Sequence, residues 1–194
     1  MKLLSMRPSR YEGLYVLTVE HEGVRERLTL PDAAYAEAGL PAVGEELNTE
    51  AYAILKAASD RRASLLCALN TLSYGDKSRR ELYRKLIEKG FDRETAEDAT
   101  EEAVRLGYVD EERQLRHILP RLANEKLHGA RRILPELVHK GYQSGQIRAI
   151  LSELVETGEI DFPKNFERLL EKTHTDPNDK EARRKLAFRY GYSS

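Results

Sequence analysis

Three stretches decide the fold: LYRKLIEKGF at 82–91, ILPELVHKGY at 133–142 and RRKLAFRYGY at 183–192. In each, apolar residues at helical spacing run into a basic or aromatic residue, then a glycine, then an aromatic. A glycine there closes the last helical turn in the left-handed conformation, and the residue after it folds back as an apolar contact. The unit recurs at a spacing of about 50 residues, which leaves room for three helices per repeat. Leu86 and Ile87 correspond to Leu137 and Val138, and less closely to Ala187 and Phe188, so the matched positions read mainly as core.

Outward from the first copy, Ser78 followed by Glu81 reads as a capping box, with Leu82, Tyr83, Leu86 and Ile87 as the apolar face of the helix it opens. Asp92 caps a further helix over 93–106, in which Ala96, Ala99, Ala103 and Leu106 form a narrow face suited to close packing. Gly107 stops it. The second copy continues from Ser144 into Ile147, Ile150, Leu151, Leu154 and Val155, its expected third helix. The third copy reaches Ser194 directly after its glycine and aromatic, so it reads as truncated. Pro120 and Pro135 lack a backbone N–H, so the helices holding them are expected to start late, kink or break nearby. Residues 173–178, with Pro177, read as a turn or mobile loop before the last helix.

The first sixty residues differ. Apolar and polar residues partly alternate over 14–20 and 24–30 around His21, Glu22 and Gly23, the pattern of a two-stranded hairpin with Tyr15, Leu17 and Val19 on one face. Pro31 and Asp32 open a short helix that Gly39 stops, and Asn48 caps the next. A lone hairpin is marginal in water, so this module should pack on helices. The fold class expected is mainly α, with tandem three-helix repeats and a small N-terminal α+β module of hairpin plus helix. The boundaries expected are 1–62 for that module, 63–108 and 109–158 for two repeats, and 159–194 for the third.

The chain has 32 Lys and Arg against 33 Asp and Glu. Such balance predicts a soluble surface laced with ion pairs, whereas a free-standing nucleic-acid binder is more often strongly basic. Cys67 is the only cysteine, so no internal disulfide forms. With no leading apolar signal and no run of about 20 apolar residues, the expected compartment is the cytoplasm. The sequence holds no GxxxxGK[ST] or GxGxxG loop, and its histidines lack metal-ligand spacing, so neither cofactor, metal nor catalysis is expected.

The order and spacing of LSYGDKSRRELYRKLIEKGF at 72–91, LGYVDEER at 106–113 and GARRILPELVHKGY at 129–142 resemble the RecX family of recombination regulators. The resemblance runs from about Ala63 to Tyr192, and the N-terminal hairpin with LPAVGEELNTEA is similar to an extra module of some members. It implies an elongated, curved array lying in the groove of a RecA filament on single-stranded DNA, modulating and commonly inhibiting RecA's recombinase, ATPase and co-protease activities in DNA repair and the SOS response. It also implies a likeness to members that contact DNA, and a protein working as a monomer without chemistry of its own. Gln114, Leu115 and Arg116 depart from the family pattern, which usually has an aromatic followed by a small residue there.

Basic residues recurring beside the repeat glycines are the site expected for the partner or for DNA: Arg79, Arg80, Arg84, Lys85 and Lys89; Arg131, Arg132 and Lys140; Arg183, Arg184, Lys185 and Arg189. They form either a discontinuous stripe for phosphates and carboxylates or a solvated surface with pairs such as Arg84 with Glu88. The acidic run Glu94, Glu97, Asp98, Glu101, Glu102, Asp110, Glu111 and Glu112 reads as helix surface and first turns. Phe91, Tyr142 and Tyr192, each following a helix-ending glycine, read as packing residues rather than base-stacking platforms. A three-helix DNA-binding module or transcriptional regulator acting without RecA is the alternative reading.

Overall fold

The computed structural model describes residues 1–193, which group by contact into two compact units. The first holds residues 1–74 and 83–106, the second residues 75–82 and 107–193. The protein is mainly helical, with a small N-terminal sheet.

In the first unit, β1 (Lys2–Pro8), β2 (Leu14–His21) and β3 (Val24–Pro31) form an antiparallel sheet in that order. The expected hairpin is β2 and β3. β1 is an addition that the period-two reading misses, and its register supplies the reason: Leu3 pairs with Val19 but Ser5 with Thr18, so Leu4 is an extra residue and the in–out alternation slips there. One face buries Leu3, Leu17, Val19, Leu28 and Leu30 with Tyr35 of α1 (Asp32–Glu37) and Leu55 of α2 (Thr49–Ser73). That gives the marginal hairpin the helical support it needs. Asn48 caps α2, accepting a 2.7 Å bond from the Ala51 N–H, and the helix continues unbroken past Arg62 and Ala63. Against α2 lies α4 (Arg93–Arg105), burying Ala96, Ala99, Thr100 and Ala103. Leu106, expected on that face, is the C-cap and stands exposed, because the helix ends one residue short of it.

The second unit contains α5 (Glu111–Pro120), a π-helical turn (Arg121–Glu125), α6 (Ala130–His139), α7 (Ser144–Glu156), α8 (Phe162–Lys172) and α9 (Lys180–Tyr190). α3 (Arg79–Glu88) begins in this unit and ends in the first. Leu115, Leu119, Ile133, Leu137, Tyr142 and Ile147 centre one core; Leu127, Leu169, Leu170, Leu186, Ala187 and Tyr192 form another. The regular α5 ladder ends at Pro120, where the missing N–H lets the chain widen into the π turn, and the Lys126 N–H reaches back to the Arg121 carbonyl. Pro135 breaks nothing. It sits within the first two turns of α6, where it removes the bond to the Arg131 carbonyl alone.

The three quoted stretches close identically. Gly90, Gly141 and Gly191 have φ of 94°, 99° and 81°, and their N–H groups bond to Ile87, Val138 and Phe188. The following Phe91, Tyr142 and Tyr192 N–H groups bond to Leu86, Leu137 and Ala187. These paired bonds define a Schellman closure, so the repeated letters are a repeated local structure. Surroundings separate the copies. A Cβ on Gly141 would lie 2.5 Å from Ser78 Oγ and 2.9 Å from Arg80 Cβ, whereas one on Gly90 meets nothing within 4 Å.

This contrast sets a test. Gly90→Ala should cost about 1 kcal/mol, the left-handed strain alone. Gly141→Ala should cost roughly 3 kcal/mol, because steric overlap adds to the same strain. Urea unfolding of the two variants measures both, and equal losses would mean that Gly141 is not in close contact.

Candidate functional site

Two junctions in the second unit organise the basic residues. At the first, Ser78 accepts the Glu81 N–H at 3.1 Å as the cap of α3, while its hydroxyl donates to the Lys140 carbonyl at 2.6 Å. The second half of the expected capping box, a return bond from the Glu81 side chain, is not made among the described residues; Ser78 links instead to the end of α6. That carbonyl is one of the four a helix leaves unsatisfied at its C-terminus, so the serine resolves two helix ends together. At the second junction, the Gly129 N–H donates to the Tyr190 carbonyl at 2.8 Å and the Arg131 N–H to the Gly191 carbonyl at 3.0 Å. Ser78 and Gly129 are equivalent in the repeat, as are Lys140 and Tyr190.

The equivalence places the charges. Arg79 and Arg80 begin α3 beside Lys140 and Gly141, and Arg131 and Arg132 begin α6 beside Arg189 and Gly191. Arg132 is held in place: its guanidinium donates to the Arg189 carbonyl at 3.2 Å and stands 5.8 Å from the Tyr190 ring. Several other members of the expected stripe are engaged locally. Arg84 lies 3.7 Å and Lys85 2.8 Å from Glu88. Lys140 lies 3.5 Å from Glu136 and Lys185 2.6 Å from Glu181. Arg183 pairs with Glu167 at 3.4 Å and covers the Phe166 ring. Among the described residues, Arg80, Lys89, Arg131, Arg184 and Arg189 make no ion pair. All five are exposed.

Aromatics divide by role. Tyr142 and Tyr192 are buried, and their hydroxyls donate to Gln114 Oε1 at 2.9 Å and to the Leu127 carbonyl at 3.1 Å. Gln114 also donates to the Lys77 carbonyl at 3.3 Å, and Arg116 bridges Glu112 and Glu153. The segment that departs from the family pattern thus ties α5 to its neighbours. Ile87, Val138 and Phe188 occupy equivalent positions and are 36%, 39% and 87% exposed, whereas Leu86, Leu137 and Ala187 are buried. Only the first residue of each matched pair is core. Phe188 is therefore a surface residue that pattern reading misses, since it follows a buried position within an apolar run.

Electrostatics inside the second unit favour neutral groups. Burial pushes the Tyr142 phenol up to about 12, helped by the carboxylates of Glu111, Asp76 and Glu81. Burial likewise pushes Tyr192 up to about 12. His128 moves down, first through burial and then through the nearby Arg132 charge. Its Nδ1 is buried without a hydrogen-bond partner, 3.7 Å from Glu136. Among the described residues, no group of His, Cys, Asp and Glu could hold a metal ion, and no helix is long and apolar enough to cross a membrane.

Comparison with known proteins adds to this geometry. Residues 65–102, spanning the end of α2, all of α3 and most of α4, match the family model of the first three-helix domain of RecX. A crystal structure of the regulatory protein RecX is similar to the chain with a TM-score of 0.70 and 18% identity, covering 100% of this chain and 95% of that one. A RecX structure from Lactobacillus salivarius aligns with a TM-score of 0.46 and 14% identity, over 69% of this chain and 98% of that one. No curated protein matches the chain in sequence. The family match and the shared fold support the resemblance read from the repeat signatures.

The two phenols predict an alkaline transition. Their folded pKa of about 12 lies above the ordinary 10, so their contribution is complete below pH 10. It drains as pH rises from 10 to 12, because the unfolded chain alone can ionise there. Tyr142→Phe/Tyr192→Phe should begin roughly 1 kcal/mol less stable per lost bond and decline more shallowly with pH. Unfolding free energies at neutral and alkaline pH check this, and parallel slopes would contradict it.

Proposed function

We propose that the chain is a RecX-type regulator that binds RecA in its filament on DNA and restrains it, working through surface contacts rather than catalysis. The family match carries the reading: residues 65–102 fit the first three-helix domain of RecX, and the fold that the whole chain shares with a RecX regulatory protein agrees with it. The proposed layout is a module over 1–62 followed by repeats over 63–108, 109–158 and 159–194. Its setting is the cytoplasm, as a monomer serving DNA repair and the SOS response.

The two junctions supply the mechanism's physical basis. Each sets arginines at the start of one helix beside the closed end of another, so adjacent repeats offer similarly composed cationic patches. A partner with regularly repeated acidic surface meets them in succession, and many modest contacts add into a distributed interface. Binding that favours one filament state over another alters ATP turnover without a nucleotide site in the regulator itself.

The experiment adds purified protein to preformed RecA filaments on single-stranded DNA and follows ATP turnover and filament length. Reduced turnover and shorter filaments are expected. Arg131→Ala/Arg132→Ala/Lys140→Ala should need about tenfold more protein for the same effect, as for loss of roughly 1.4 kcal/mol of binding, with unchanged helix content by circular dichroism. Unchanged potency would reject this cluster as the contact, and a parent protein without effect on filaments would reject the reading.

A further inference from the structure

The first unit holds a space that its own helices leave open. α1 and α4 both pack on α2, and between them runs a groove of about 1230 Å³ that lies wholly within this unit. On its floor α2 presents Ile54, Ala57, Ala58, Arg62 and Leu65, one face at helical spacing, half-buried except for the exposed Ala57. From Ile54 to Leu65 the floor runs about 16 Å, so the volume leaves a cross-section about 10 Å wide, that of one helix with its side chains. Most charges along the groove are engaged. Arg61 lies 3.7 Å from Asp98, Arg105 pairs with Glu102, and Glu101 is engaged as well. Two differ: Arg62 on the floor and Glu37 on the α1 wall make no ion pair among the described residues. A half-buried guanidinium without a carboxylate has given up part of its hydration for no return, and the apolar floor around it gains by leaving water.

We infer that this groove docks an amphipathic helix of a partner protein, about three turns long, with its apolar stripe on α2, a carboxylate toward Arg62 and a lysine or arginine toward Glu37. The two unpaired charges, of opposite sign on floor and wall, set this complement. Backbone chemistry selects a helix over an extended segment. Leu14 and Pro31 bring only the ends of their strands to the groove, so an extended chain would lose water from its N–H and carbonyl groups and find no ladder there. A helix satisfies its own backbone and offers the groove side chains alone. Alanines at 57 and 58 let the two helix axes approach to about 8 Å, the near end of the usual range. Three turns cover too little surface for a permanent complex, so the contact is a transient one.

No residue of the groove belongs to the basic set proposed for RecA, so this inference stands apart from that reading and is tested without RecA. The probe is a fluorescein-labelled helical peptide of about four turns, with a leucine and alanine stripe, glutamates on one flank and lysines on the other. Anisotropy is followed with the full chain in physiological salt, where saturable binding is expected. A second peptide with lysines on both flanks should bind about fivefold more weakly, since it loses the ion pair with Arg62 and gains a repulsion. Arg62→Glu should reverse that order. Glu37→Lys, at an exposed position that leaves folding intact, tests the other wall: it should prefer a peptide with glutamates on both flanks to the mixed one. Ala57→Trp, also exposed, places a large ring on the floor and should weaken the mixed peptide at least about tenfold by steric clash. The inference is overturned if no peptide saturates, if Ala57→Trp binds as the parent does, or if both charge reversals leave the order of the peptides unchanged. Sedimentation showing a dimer of the parent that Ala57→Trp dissolves would also overturn it, in favour of a second copy of the chain as the occupant.

Discussion

The second unit depends on one constraint: the glycine-closed end of a helix in one repeat must seat against the first turn of the equivalent helix in the preceding repeat. A helix ends with carbonyls that have no partner, and begins with N–H groups in the same condition. Seating the end of α6 on α3, and the end of α9 on α6, lets each termination supply what the other lacks. The negative end of one helix dipole meets the positive end of the next, which favours the arrangement further. Close approach is the cost. At Gly191 a Cβ would lie 2.5 Å from Arg132 Cβ, and at Gly129 it would collide with the Gly191 carbonyl. Side chains are excluded from both positions by the approach itself.

The same seating distributes the remaining roles. The aromatics after the second and third closing glycines turn inward, and Tyr142 and Tyr192 find acceptors for their hydroxyls at Gln114 and Leu127, while Phe91 after the first is half-buried. Burying a phenol is favourable only with such a partner, which is why these two rings belong to the core and not to a ligand surface. The residue three places before the glycine turns outward, leaving Ile87, Val138 and Phe188 on the surface. Arginines that open α3 and α6 come beside the closed ends because their own first turns form the seat. The basic surface at the two junctions is thus a by-product of the packing rule, repeated where the rule is repeated.

Much of this was legible in the chain. The three closures, the caps at Asn48 and Asp92, the β2–β3 hairpin and the buried Tyr142 and Tyr192 all follow from local chemistry that a few neighbouring residues determine. What was hidden depends on tertiary partners or on broken periodicity. β1 escapes because the extra residue Leu4 slips its alternation. Phe188 reads as core by analogy with Ile87 and Val138, yet helical phase puts all three outside. Leu106 lies past the last helical residue of α4, and Pro135 is tolerated because only one carbonyl loses its bond. Ser78 announces itself as a cap, but nothing nearby in sequence reveals that its proton goes to Lys140, sixty-two residues away.

Amide hydrogen exchange at Gly129 and Arg131, resolved residue by residue by NMR, tests the seating most directly. Their N–H groups lie at the start of α6, where an unpartnered helix end would exchange rapidly with water. Bonded to the Tyr190 and Gly191 carbonyls, they should show protection matching the interior amides of α6, such as that of Leu137. Exchange as fast as in the exposed 173–178 turn, with Leu137 still protected, would show that the repeats are not joined in this way.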